Sequence, residues 1–268
     1  MALKDITLGQ YFPGNSILHR LDPRTKILLT VIYIVALFLA KQLAGYGILL
    51  LVLAAAIAVS RVKLKVILKG LKPILFIIII TGILNLFWTP GDILWQWGFL
   101  KLTVQGIWAA VFMVLRISML IICTFLLTYT TSPILLTDGL ENLLGPLKKL
   151  HVPVHELAMM MSIALRFIPT LIEETDKIMS AQKARGADFD TGNLLDKAKA
   201  LIPLLVPLFI SAFRRADELA IAMECRCYHG GEGRTRLRQL KYKTPDIVGI
   251  AGGLLLCAGV GVLGHFGL

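Results

Sequence analysis

A series of uncharged apolar runs, separated by short basic segments, limits what this chain can fold into. A helix needs about 20 largely apolar residues to cross a bilayer. Ile27 to Ala40 is uncharged and ends at Lys41. Gln42 to Ser60 follows, then Pro73 to Trp88, which stops at Thr89, Pro90 and Gly91. Leu102 to about Thr131 holds one charge, Arg116. Ile247 to Gly264 is the last run, with Gly249 and Gly253 at a GxxxG spacing that permits close helix contact. These runs predict an all-α integral membrane protein with about five transmembrane helices, the first and third of them short.

Composition agrees. The chain is 56% hydrophobic and 17% charged, against about 45–50% and about 25% for soluble domains. Its mean hydropathy is +0.75. A disordered chain and a disulfide scaffold are excluded, and an ordinary cytosolic enzyme is disfavoured. The first 25 residues hold no apolar h-region, so no cleavable signal peptide is expected.

The net charge of +11 reads as basic loops facing the cytoplasm rather than as a nucleic-acid surface. Lys4, Arg20, Arg24 and Lys26 precede the first span. Arg61, Lys63, Lys65, Lys69 and Lys72 lie between the second and third, while the alternate loops hold only Lys41 and Lys101. The N-terminus is therefore expected inside and, after five spans, the C-terminus outside. All but three of the 28 lysines and arginines (Lys41, Lys101 and Arg116) then fall inside. Three regions follow: residues 1–131 as a membrane domain of four spans, 132–246 as a cytoplasmic-side domain, and 247–268 as a C-terminal span. Arg116 lies too deep to snorkel, so it faces protein or water. It is either functional or bonded to backbone carbonyls of a neighbouring helix.

Residues 132–246 are amphipathic. From His155 to Arg185 apolar residues recur at helical spacing; such a helix would be about 46 Å long. A second long pattern runs from Leu194 to about Cys227. Shifting the first by 41 residues lays Asp176 on Asp217, Ala181 on Ala222 and Arg185 on Arg226. Both arginines end a long amphipathic helix, where a cation suits the helix dipole. Gly186 is a natural residue to follow the first helix end. Capping explains Arg226 less well, since the next glycine is Gly230. Two guanidiniums so placed look like paired docking points for a two-lobed partner, because arginine stays charged and binds carboxylates bidentately.

These two motifs resemble the Ala-Arg-Gly motifs of the transmembrane (T) component of energy-coupling factor transporters, the EcfT/CbiQ-like family. The stretch from Tyr11 through Pro13, Gly14, Asn15, Asp22, Pro23 and Arg24 to Lys26 resembles that family's N-terminus, and Tyr228 to Arg236 resembles the tail of its second motif. The resemblance implies a non-catalytic coupling scaffold without cofactor or metal. It would link two ABC-type ATPase subunits to a substrate-binding S subunit for ATP-driven uptake of vitamins or other micronutrients across the cell membrane. It implies ATPase docking at Ala184, Arg185 and Gly186 and at Cys225, Arg226 and Cys227. Cysteine replaces both alanine and glycine in the second motif, which would suit two non-identical ATPases.

Met159, Met160 and Met161 are either core packing or part of a surface that docks S subunits, methionine being an adaptable contact residue. The chain has no P-loop sequence, no His-Glu-x-x-His and no Gly-x-Ser-x-Gly. Cys225, Cys227 and His229 have poor metal spacing, and Pro153 separates His151 from His155. Arg234, Arg236, Arg238, Lys241 and Lys243 read as an anionic-lipid contact beside the last span. The alternatives are an integral membrane enzyme binding an anionic lipid-like headgroup through Arg116 and Arg166, and a stand-alone permease. The first needs clustered acid, base or metal ligands. The second needs several intramembrane polar residues, of which only Arg116 qualifies.

Overall fold

The structure, a computed structural model, describes residues 11–40, 42–97, 100–187, 189, 194–230 and 239–266. The protein is all-helical apart from one hairpin among these residues. The helices are α1 (Ile17–Arg20), α2 (Pro23–Leu39), α3 (Leu43–Ser60), α4 (Leu64–Trp88), α5 (Val104–Thr130), α6 (Pro133–Leu143), α7 (Val154–Ala184), α8 (Leu194–Glu224) and α9 (Thr244–Phe266). The hairpin pairs β1 (Ile93–Trp97) with β2 (Leu100–Thr103) antiparallel between α4 and α5. A 3₁₀ turn, Gly145–Leu150, precedes α7.

Among the described residues, five helices are long and apolar enough to cross a membrane: α3, α4, α5, α7 and the stretch Thr244–Gly264 of α9. The number matches the sequence reading, but one member differs. α2 has 17 residues, about 26 Å at 1.5 Å per residue, just short of a full crossing. α7 takes the fifth place through its apolar first half. α4 begins nine residues before Pro73, which sits exposed inside it. The helix continues through it although the proline has no N–H for the Lys69 carbonyl four residues back.

The described residues divide into two compact units, one within residues 11–142 and 240–266, the other within residues 143–239. In the first, α2, α3, α5 and α9 enclose a core of Tyr33, Leu37, Tyr46, Leu49, Leu53, Met119, Cys123 and Val260. The Tyr33 hydroxyl donates to the Leu49 carbonyl at 3.0 Å, so this buried polar tip is satisfied. Gly249 and Gly253 of α9 lie against Leu29 of α2; a Cβ on Gly253 would stand 2.8 Å from Leu29 Cδ2. This is the close contact expected from the GxxxG spacing. Where α5 meets α4, a Cβ on Gly106 would stand 2.6 Å from the Leu86 carbonyl oxygen.

The N-terminal motif folds into a clamp at one end of this unit. Asp22 caps α2, accepting from Arg24 N at 2.9 Å, and Pro23 supplies the first helical residue without an N–H to satisfy. Arg24 bonds the Asp22 carboxylate through Nε and Nη2, both at 3.0 Å, and stacks on Tyr242, 4.0 Å from the ring centre. Asp246, fully buried, accepts from Asp22 N and Lys243 N, each at 2.8 Å. Phe12 N donates to the Tyr129 carbonyl at 3.0 Å. These contacts tie the starts of α2 and α9 to the end of α5.

Candidate functional site: the paired ends of two long helices

The second unit is organised around α7 and α8, which run antiparallel. Proline sets one of their contacts. Pro207 has no N–H to give the carbonyl four residues back, at Pro203. That carbonyl accepts instead from Gln182 Nε2 of α7 at 3.3 Å. At the centre Glu174 accepts from Ser211 Oγ, and from Arg215 Nη2 at 2.8 Å. An apolar seam of Ile163, Phe167, Leu171, Ala212, Ala216 and Leu219 continues beside it.

The two helix ends have the same backbone geometry. After α7, Gly186 N donates to the Lys183 carbonyl at 3.0 Å and Ala187 N to the Gln182 carbonyl at 3.0 Å, with Gly186 at φ +89°. After α8, Cys227 N donates to the Glu224 carbonyl at 2.8 Å and Tyr228 N to the Met223 carbonyl at 3.1 Å, with Cys227 at φ +55°. Each is a Schellman motif closed by one residue in the left-handed region, and the 41-residue shift maps every donor and acceptor of one onto the other. Arg185 and Arg226 hold the same capping position. The sequence reading looked to Gly230 for the second turn; Cys227 makes it. Cysteine pays a left-handed penalty that Gly186 does not.

All six residues of the two motifs are exposed. Among the described residues, neither Arg185 nor Arg226 makes a side-chain hydrogen bond or ion pair. Each lies eleven residues beyond the Glu174–Arg215 contact on its own helix, about 17 Å along the axis. Because the helices are antiparallel, the two guanidiniums project from opposite ends of the pair, up to about 35 Å apart.

The other sequence candidates are placed as follows. Arg116 donates through Nε to the Tyr46 hydroxyl at 2.9 Å and through Nη2 to the Ala40 carbonyl at 3.4 Å. Ala40 is the C-cap of α2, so the guanidinium meets the negative end of that helix. Tyr46 stacks on Phe112, and Phe112 on Trp108. Met159 is half-buried, whereas Met160 and Met161 are exposed beside Leu157, so packing inside the unit accounts for Met159 alone. Among the described residues, no three of His, Cys, Asp and Glu are grouped to hold a metal. Arg234, Arg236 and Arg238 lie outside the described residues.

Two features were not read from the sequence. One is the Glu174–Arg215 contact, although the 41-residue shift pairs these positions. The other is an exposed stripe on α8, formed by Ile202, Val206, Phe209, Ile210 and Phe213, whose helical spacing was visible.

A profile of the cobalt transport protein family CbiQ matches residues 14–237. The chain is 58% identical over 246 residues to the energy-coupling factor transporter transmembrane protein EcfT of Ruminiclostridium cellulolyticum, covering 92% of each. It is 50% identical over 257 residues to the Bacillus subtilis protein of that description, covering 96% of this chain and 97% of the relative. Both helix ends and the helices from α2 to α8 lie within the family match, and the chain belongs to the CbiQ/EcfT family of transmembrane components of energy-coupling factor transporters.

Proposed function

We propose that this chain is the membrane scaffold through which two ABC-type ATPase subunits drive a substrate-binding S subunit that takes up a vitamin or another micronutrient. The observation that carries this reading is the repeated helix end: one exposed arginine, in one capping geometry, at each end of an antiparallel pair. Two similar lobes related by a rotation would meet equivalent surfaces there. In this reading the segment 132–246, with both arginines, faces the cytoplasm, as does the N-terminus. The membrane spans in this reading are four within residues 1–131, α2 to α5 with the 17-residue α2 as the shortest, and one within 247–268, while α7, though long and apolar enough to cross, lies at the cytoplasmic face.

ATP binding draws the ATPases together and moves the two arginine-tipped ends. Glu174 and Arg215 join the helices at their crossing, so displacement of either end is transmitted to the other. The exposed apolar residues of this unit, Met160 and Met161 on α7 and the Phe209–Phe213 stripe on α8, then change how the S subunit is held. ATP is hydrolysed by the partners; this chain supplies position.

The test is the pair Arg185→Ala and Arg226→Ala, singly and together. Removing one charged partner from a buried interfacial pair costs about 3–5 kcal/mol. The double variant is expected to insert in the membrane, to lose the ATPases on co-purification and to lose uptake. Normal uptake by the double variant refutes the reading.

A further inference from the structure

Between α2, α3, α5 and α9 lies a half-open cavity of about 380 Å³, within the usual range for ligand sites. Its wall is mostly apolar, with Leu29, Ile32, Leu53, Ala56, Leu126 and Leu256 among the residues that form it. Its polar lining is Lys26, Thr30, Tyr33 and Thr130, with the Cys123 thiol. The oxygen- and nitrogen-bearing side chains among these already have partners. Lys26 Nζ donates to the carbonyls of His19 and Thr130 at 3.3 and 2.9 Å and to Thr131 Oγ1 at 3.3 Å. Thr30 donates to the Lys26 carbonyl at 2.9 Å, Thr130 to the Leu126 carbonyl at 2.8 Å, and Tyr33 to the Leu49 carbonyl. The N–H and O–H hydrogens of these groups are thus spent, so a polar acceptor would lose its water and find no donor among them in return. The chemistry of the wall selects hydrocarbon.

The cavity is also asymmetric. Lys26, Thr30 and Thr130 gather towards the start of α2, and Leu18 and Leu21 line the cavity beside them. Arg20 stands between those two leucines on the chain, exposed and without an ion pair among the described residues. From Pro23 to Gly91 the sequence holds no acidic residue, and Asp22 is engaged by Arg24. The polar end of the cavity thus has an unneutralised cation next to it along the chain, on the cytoplasmic side in the proposed orientation. Along the α9 wall, Gly252 leaves open space: a Cβ there would meet nothing within 4 Å.

We propose that this cavity holds one acyl chain of an anionic phospholipid, with the lipid phosphate against Arg20. The inference uses the orientation proposed above but not the docking of the ATPases, so either can fail without the other.

The test is native mass spectrometry of the assembled transporter, extracted in mild detergent and titrated with phosphatidylglycerol or phosphatidylcholine of matched chains. One tightly held anionic phospholipid per copy of this chain is expected. Gly252→Leu fills the cavity with a residue that favours a helix and should lower lipid occupancy at least about tenfold, since it removes the space for the chain. Arg20→Gln should leave binding but reduce the preference for phosphatidylglycerol about fivefold, as expected for one surface cation. Leu255→Phe, at an exposed position of α9, should change neither. Retention of the lipid by Gly252→Leu at parental occupancy overturns the proposal. So does an assembled complex that binds no phospholipid, as when a partner subunit's side chains fill the space.

Discussion

Cys227 is a non-glycine residue held at φ +55°, which makes Cys227→Gly a discriminating substitution. A side chain in the left-handed region costs about 1–2 kcal/mol. Glycine avoids that strain but gives up about 0.5–1 kcal/mol of backbone entropy. The net gain is about 0.5–1 kcal/mol, localised in the last turn of α8. The amides that report it are Cys227 N and Tyr228 N, which close the motif on Glu224 and Met223. Amide hydrogen exchange should therefore slow about two- to fivefold at these positions and stay unchanged at Gly186 and Ala187 of α7. Cys227→Val, a branched residue in the same conformation, should speed exchange. Association with the ATPases should survive Cys227→Gly, because the substitution keeps Arg226 and its capping geometry. Faster exchange in Cys227→Gly would refute the argument, since it would mean the turn is not strained as its dihedral implies.

Arg116→Met leaves the Ala40 carbonyl and the Tyr46 hydroxyl without their donor, a loss of about 1–3 kcal/mol; thermal unfolding should show it. Uptake per folded molecule should be retained, and its abolition would give Arg116 a transport role beyond bracing α2. The Asp22 carboxyl is raised by burial, but the hydrogen bonds from Arg24 and the charges of Arg24 and Lys26 outweigh this and hold it below its ordinary value. Its contribution to stability is thus complete above the ordinary aspartate pKa of about 4 and is lost as pH falls through the lower folded value. Melting temperature measured from pH 6 down to 3 should fall less steeply in Asp22→Asn than in the parent, and equal slopes would remove Asp22 from the clamp's energetics.

The membrane helices were legible because charge is costly in a bilayer, so its absence over about 18 residues is a strong signal. The signal weakened where charges are internally satisfied. Arg24 and Lys26 made α2 seem to start at Ile27, yet Asp22 takes up the first and three protein oxygens take up the second. The Asp22-Pro23 pair was the available sign of the true start. The β1–β2 hairpin was missed because each strand is five residues or fewer, too short for an alternating pattern to stand out.

The repeat shows where sequence similarity must fail. Identities survive at Asp176 and Asp217, Ala181 and Ala222, and Arg185 and Arg226, at three points along the outer halves of α7 and α8. They fail at Glu174, whose equivalent is Arg215. These two residues touch each other, as the residue nearest a local two-fold axis must touch its own counterpart. Identity there would oppose two carboxylates or two guanidiniums at about 3 Å, where like charges repel by several kcal/mol in a partly buried site. Opposite charges are one solution that keeps the crossing polar and closed. A charged crossing on this symmetric backbone therefore requires the two positions to diverge, whereas cysteine at the left-handed position of α8 is demanded by nothing in the fold.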